Sequence, residues 1–199
     1  MELQVRDAEA RDLPEIKQLM DRYLSRDYYT MEELEKILAG ERNLLYVVTD
    51  SEKGGEVVSY FYAFVAPLDE ALQILHVKEK PAFLANYSGD TTVAVYKASS
   101  TKEDYRKNGV CTSFVRDLQP VVREMGAKLI LATALHPRGK EEPMKHIFIS
   151  NGFSAIADLY RPWSGIRSYC PYCRQEYCVC DAVFYIKKTG ETEGECIRE

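Results

Sequence analysis

Residues 91–125 read TTVAVYKASSTKEDYRKNGVCTSFVRDLQPVVREM. The run Thr92-Val93-Ala94-Val95-Tyr96-Lys97-Ala98 reads as an apolar strand, Ser99 to Tyr105 as a polar connection, Arg106 to Cys111 as a turn, and Thr112 to Met125 as a helix. A helix that begins directly after a glycine turn leaves its first backbone N–H groups unpaired, and its macrodipole adds partial positive charge there. Such an end accepts phosphate. Gly109 lets the backbone bend close to an anion, Arg106 and Lys107 bring charge, and the small side chains of Cys111 and Thr112 leave the first turn uncrowded. Ser99, Ser100, Thr101, Arg106, Lys107, Asn108, Gly109, Val110, Cys111 and Thr112 form the expected contact set for an anion such as a pyrophosphate.

Glycine turns with two basic residues also occur as plain strand-to-helix connections without a ligand. The frame here is narrower. Arg106, Gly109 and Cys111 follow Tyr105 in an R-x-x-G-x-(small) pattern that resembles the coenzyme A pyrophosphate loop of the GNAT acetyltransferase superfamily. The family's usual third small residue is glycine or alanine, so Cys111 is a departure.

With 199 residues, 46% of them hydrophobic, the chain can build one substantial core, or a core with a small appendage. A net charge of −5 argues against general nucleic-acid binding, because a surface that tracks phosphates is usually basic. No apolar run approaches the roughly 20 residues of a membrane helix, and Met1-Glu2-Leu3-Gln4-Val5-Arg6 lacks the pattern of a signal peptide. The expected setting is the cytoplasm, with no membrane partner.

Leu3 and Val5 open a short strand. Asp12 is placed to cap a helix carrying Pro14 and Glu15 in its first turn, with Leu13, Ile16, Leu19, Met20, Tyr23 and Leu24 on one face. Thr30 with Glu33 is a capping box for a second helix that stops at Gly40. Strand, helix, helix is also how GNAT domains begin. Residues 43–49 and 56–66 read as two strands of a hairpin turning at Gly54-Gly55, the second covered on both faces. In residues 67–90 the stretch Leu68 to Leu75 reads as either a short helix or a strand. GNAT domains often join the flanking strands by a tight turn. The extra length here serves either to cover an acceptor site or as a surface excursion.

Lys128 to Leu135 is an apolar strand after Gly126, and with the quoted stretch it makes a βαβ-like unit with its anion cradle at the strand's C-terminal edge. A helix over 140–150 closes on Asn151-Gly152 and returns to a strand over 153–160. The ending resembles the GNAT segment in which the residue four before the glycine is usually the tyrosine that protonates the leaving thiolate. Here that residue is Phe148, which has no proton to give.

Cys170, Cys173, Cys178 and Cys180 fall within eleven residues, a C-x2-C-x4-C-x-C frame, while Cys111 and Cys196 stand apart. Two chelating pairs supply the four thiolates of a closed, structural zinc site. Free buried thiols, disulfides, a Cys170–Cys173 redox pair and an iron–sulfur centre compete with that reading. The following residues 181–187 resemble the last strand of a GNAT sheet, which makes residues 161–181 an inserted zinc knuckle and residues 189–199 a polar tail after one domain spanning 1–188.

The resemblance implies an α/β (α+β) fold with a mixed, splayed central sheet flanked by helices, acetyl-CoA in the split, and acetyl transfer to a primary amine of a small molecule or protein. Zn2+ is expected as a structural ion. The chemistry needs a place for the thioester, polarisation of its carbonyl by backbone N–H groups near the end of the 93–98 strand, and removal of a proton from the amine. Glu103, Asp104 and His136 are candidate bases, and Tyr160 is the candidate acid, with Tyr96 and Tyr169 as further substitutes. The reading admits a homodimer. The alternative is an inactive acyl-CoA-binding or regulatory module that meets a protein partner through its cysteine-rich element, and a weaker one is a zinc-dependent nucleic-acid binder.

Overall fold

The computed structural model describes residues 2–190. Its elements run β1 (Leu3–Asp7), α1 (Leu13–Tyr23), α2 (Met31–Ala39), β2 (Asn43–Asp50), β3 (Glu56–Pro67), α3 (Leu68–Ile74), β4 (Thr92–Thr101), α4 (Val110–Glu124), β5 (Leu129–His136), α5 (Lys145–Ser150), β6 (Ser154–Leu159), β7 (Arg167–Cys170), β8 (Gln175–Tyr177) and β9 (Asp181–Lys188). Seven strands form one mixed sheet in the order β1-β2-β3-β4-β5-β9-β6, and β7 pairs with β8 in a separate hairpin.

Alternation along β4 divides the core between the two faces of this sheet. Val93 and Val95 join the core that includes Leu13 and Ile16 of α1, Leu34 of α2 and Leu68 of α3. Ala94 and Tyr96 point the other way, into a core with Phe114 and Val115 of α4 and Phe148 of α5. β3 is buried at every position from Val57 to Ala66, as a strand covered on both faces requires.

The sheet splits at its centre. β4 and β5 are parallel and pair only from Val93–Leu129 to Tyr96–Ala132. At the next residue β4 carries a bulge: Tyr62 lies opposite Ala98 and Ala63 opposite Tyr96, leaving Lys97 as the extra residue. A bulge bends its strand and raises the local twist. Beyond it β4 stays with β3, β5 stays with β9, and the two strands part.

Several local expectations are corrected. Ser99, Ser100 and Thr101 are not in a connection; they continue β4 opposite Phe61, Tyr60 and Ser59. The capping box of Thr30 and Glu33 forms, but the Asp12 side chain does not cap α1. It accepts instead from Arg6 (2.6 and 2.8 Å) and from the Glu9 N–H (2.7 Å). The helix over 140–150 shrinks to Lys145–Ser150, since Pro143 interrupts its start. Residues 67–90 are not wholly a surface excursion, because Leu68, Ala71, Leu72, Leu75, Val77 and Leu84 are core residues, while residues 78–80 and 85–86 are exposed. Of the expected tail, residues 191–199 lie outside the described residues, Cys196 with them. Among the described residues no helix is long and apolar enough to cross a membrane.

Candidate active site and cysteine knuckle

The split opens into a cleft of about 220 Å³. Its floor is the parting pair of strands, Tyr96 to Ser99 of β4 and Thr133 to Leu135 of β5. One wall comes from the end of α1 and the following loop, with Tyr23, Leu24, Ser25 and Tyr28, and the other includes Trp163, Ile166, Ser168, Cys170, Tyr172 and Cys178 of the cysteine-rich segment. The walls are tied together. Ser25 Oγ donates to the Tyr169 carbonyl (2.9 Å) and contacts Ser168 Oγ, while the Arg26 N–H donates to the Tyr169 carbonyl (3.2 Å).

α4 begins beside this cleft. Gly109 takes φ 76°, a left-handed conformation that costs a residue with a Cβ but not glycine. No side chain among the described residues caps the helix, and the Ser113 N–H donates to the Gly109 carbonyl at 2.8 Å. The amides of Val110, Cys111 and Thr112 precede that bond, as an anion cradle requires. Lys107 is also left-handed, at φ 64°. Arg106 is turned toward α1: its Nε donates to the Thr101 carbonyl (3.0 Å) and its guanidinium lies 4.6 Å from the Tyr23 ring centre. Cys111 points inward, 3.7 Å from Ser99 Oγ and 3.9 Å from Met144 Sδ, and burial pushes its thiol pKa up. It serves as a small packing residue.

The four candidate acid–base residues are not brought together. Glu103 pairs with Arg22 at 3.6 Å on the surface, and Asp104 is exposed in the same turn. His136 is exposed at the end of β5. Tyr160 is 71% exposed, with Arg161 over its ring at 5.0 Å. None of them lines the cleft; nor does Tyr169, whereas Tyr96 does. Burial raises the Tyr96 phenol pKa, so it stays protonated, and its hydroxyl donates to the Val115 carbonyl at 3.4 Å. Phe148 also lines the cleft, its ring stacked on Tyr185 at 4.9 Å.

Sequence reasoning missed the cleft contributions of Tyr23, Tyr28, Lys97 and Tyr172. For Lys97 a signal existed: one charged residue interrupts the otherwise apolar run 92–98. The others belong to segments distant in sequence, and only the fold brings them together.

The sulfur atoms of Cys170, Cys173, Cys178 and Cys180 lie within 4.8 Å of one another. Cys170 ends β7, Arg174 takes a left-handed φ of 58° that turns the chain, and Cys178 and Cys180 follow β8. All four are unbridged thiols. A hydrogen bond from Cys178, with others from the Cys173 and Tyr172 amides, holds Cys170 well below the ordinary thiol range, while Cys178 and Cys180 are pushed up. Four soft donors gathered in one small volume suit a tetrahedral thiolate-binding ion.

No protein-family model matches this sequence, and no curated protein does. Solved structures do match. Arabidopsis thaliana NAA60 in complex with acetyl-CoA aligns with TM-score 0.68 at 12% identity, over 94% of this chain and 99% of that one. The NatC complex bound to Gag peptide and CoA gives 0.65 at 14% identity, over 94% and 99%. Ard1 from Thermoplasma volcanium gives 0.62 at 15%, over 96% and 100%. An acetyltransferase of the GNAT family from Streptococcus pneumoniae gives 0.61 at 14%, over 94% and 99%, and identities this low carry the fold alone: the chain, with its split mixed sheet flanked by helices, has the fold of the GNAT N-acetyltransferases.

Proposed function

We propose that this protein is an acetyl-CoA-dependent N-acetyltransferase. The observation that carries the reading is the position of the uncapped start of α4 beside a cleft opened by the divergence of β4 and β5. The donor's pyrophosphate is assigned to the amides of Val110, Cys111 and Thr112, and its thioester to the split. Past Tyr96 the β5-facing edge of β4 has no strand partner, and its backbone amides are the groups available to polarise a carbonyl. Transfer forms one N–C bond and breaks one C–S bond; the amine loses a proton and the thiolate gains one. With phenylalanine at position 148, a proton for the thiolate has to come from another group at the cleft, where Tyr23, Tyr28, Tyr96, Lys97 and Tyr172 carry one, or from solvent.

The knuckle of Cys170, Cys173, Cys178 and Cys180 is assigned a structural Zn2+, closed by four thiolates and without catalytic duty. One feature favours the second reading, an acyl-CoA-binding module without turnover: no carboxylate or imidazole lines the cleft among the described residues. Free-thiol release from acetyl-CoA with an amine panel, run beside calorimetric binding of coenzyme A, separates the two. Turnover supports the enzyme, tight binding without turnover the module, and absence of binding removes both.

A further inference from the structure

The cleft contains an unmatched charge. Lys97 is the one cation among its described lining residues, which include no aspartate, glutamate or histidine. It is the bulged residue at which β4 leaves β5, next to the place assigned above to the thioester. Its Nζ donates to the Ile74 carbonyl at 3.2 Å and sits 5.5 Å from the centre of the Tyr28 ring. Both contacts are to neutral groups, and no carboxylate among the described residues pairs with it. A half-buried ammonium held this way gains most from an anionic partner that arrives with a ligand. The surrounding side chains, Tyr23, Leu24, Tyr28, Leu75 and Trp163, offer aromatic and aliphatic surface.

We propose that the acceptor is a small amine bearing a carboxylate close to the amino group and an apolar body, of the kind an apolar α-amino acid presents, with Lys97 as the partner of its carboxylate. This deepens the acyltransfer reading and rests on it. An acceptor with a second positive charge would face Lys97 with no carboxylate in the wall to offset it, so polyamines are poor substrates.

The test compares phenylalanine, phenylalaninamide and spermidine as acceptors for the wild-type protein, Lys97→Gln and Lys97→Arg, with coenzyme A binding measured on each protein. Amidation also lowers the basicity of the amine, so the informative quantity is the phenylalanine-to-amide ratio of kcat/KM in wild type against variant. That ratio is expected to fall about tenfold or more in Lys97→Gln, mainly through KM, and to be largely kept by Lys97→Arg, with coenzyme A affinity unchanged in both. Spermidine is expected to be acetylated least by the wild type. An unchanged ratio in Lys97→Gln, equal or better use of spermidine, or no turnover of phenylalanine by a protein that binds coenzyme A overturns the proposal. Should Lys97→Gln fail to fold, loss of the ratio in a folded Lys97→Arg overturns it as well. Wild-type protein that does not bind coenzyme A overturns the underlying acyltransfer reading instead.

Discussion

Two buried residues show how single side chains set the chemistry. Phe148 stands where the sequence resemblance implied an acid, and it lines the cleft, so under the proposed acyl transfer a hydroxyl there would reach the thioester's place. Phe148→Tyr is therefore expected to raise kcat by about tenfold or more, within the range of a positioned general acid, with the KM for acetyl-CoA little changed. An unaltered kcat in steady-state assays would show that thiolate protonation does not limit turnover. Glu142 is 9% exposed; Tyr185 donates to its Oε2 at 2.8 Å, and its Oε1 has no partner among the described residues. Burial pushes its carboxyl pKa above the usual range despite the Tyr185 bond. A raised folded pKa means that the carboxyl's stabilising contribution is complete below the unfolded value and is lost as pH rises through the folded one. Glu142→Gln keeps an acceptor for Tyr185 and removes that loss. Its Tm should exceed the wild type's at pH 7, and the difference should shrink toward pH 4.

At the scale of elements, the start of α4 and the knuckle do separate work. Arg106 bridges the α4 turn to Tyr23 and Thr101, so Arg106→Glu both introduces negative charge beside the cradle and removes the bridge. Coenzyme A affinity should weaken by about 1.5–3 kcal/mol in calorimetry, the range of a charge-assisted contact. Unchanged affinity would remove the electrostatic part of the cradle. The knuckle supplies Cys170, Tyr172 and Cys178 to the cleft and is tied to the loop after α1 through Ser168 and Tyr169. Removing the ion proposed for it with a strong chelator should raise the KM for the amine, because the knuckle walls the cleft, while coenzyme A affinity is expected to be kept, because the cradle amides of Val110, Cys111 and Thr112 belong to α4. Metal analysis of protein purified without added zinc should give about one ion per chain. A well-folded, metal-free protein with an unchanged amine KM would refute the assignment.

In the whole molecule, two halves of a sheet meet across a short seam, the pairing of Val93–Tyr96 with Leu129–Ala132. Leu131 is fully buried in that seam, so Leu131→Ala should cost about 2–5 kcal/mol in urea unfolding. A cost near zero would mean that the seam repacks freely. The chain pattern made much of this architecture legible. The apolar run 92–98, the helical period of 13–24, the Thr30–Glu33 box and the turn glycines at 109, 126 and 152 all act within a few residues, and each appears in the structure, the three glycines with positive φ. The cysteine spacing was legible for the same reason, since close chelating pairs need little else to meet. The cleft was not. Its walls come from residues 23–28, 96–99, 133–135 and 163–178, whose proximity depends on strand order, on one bulged residue and on the packing of an inserted hairpin against a distant loop. Local propensity and periodicity thus determined most of the elements and the sulfur cluster, but not the end of β4, the start of α5 or the β7–β8 hairpin. Which ionisable groups face the split, with Lys97 inside and Glu103, Asp104, His136 and Tyr160 outside, was decided by long-range packing, because a side chain's neighbours across a sheet are not encoded by its neighbours along the chain.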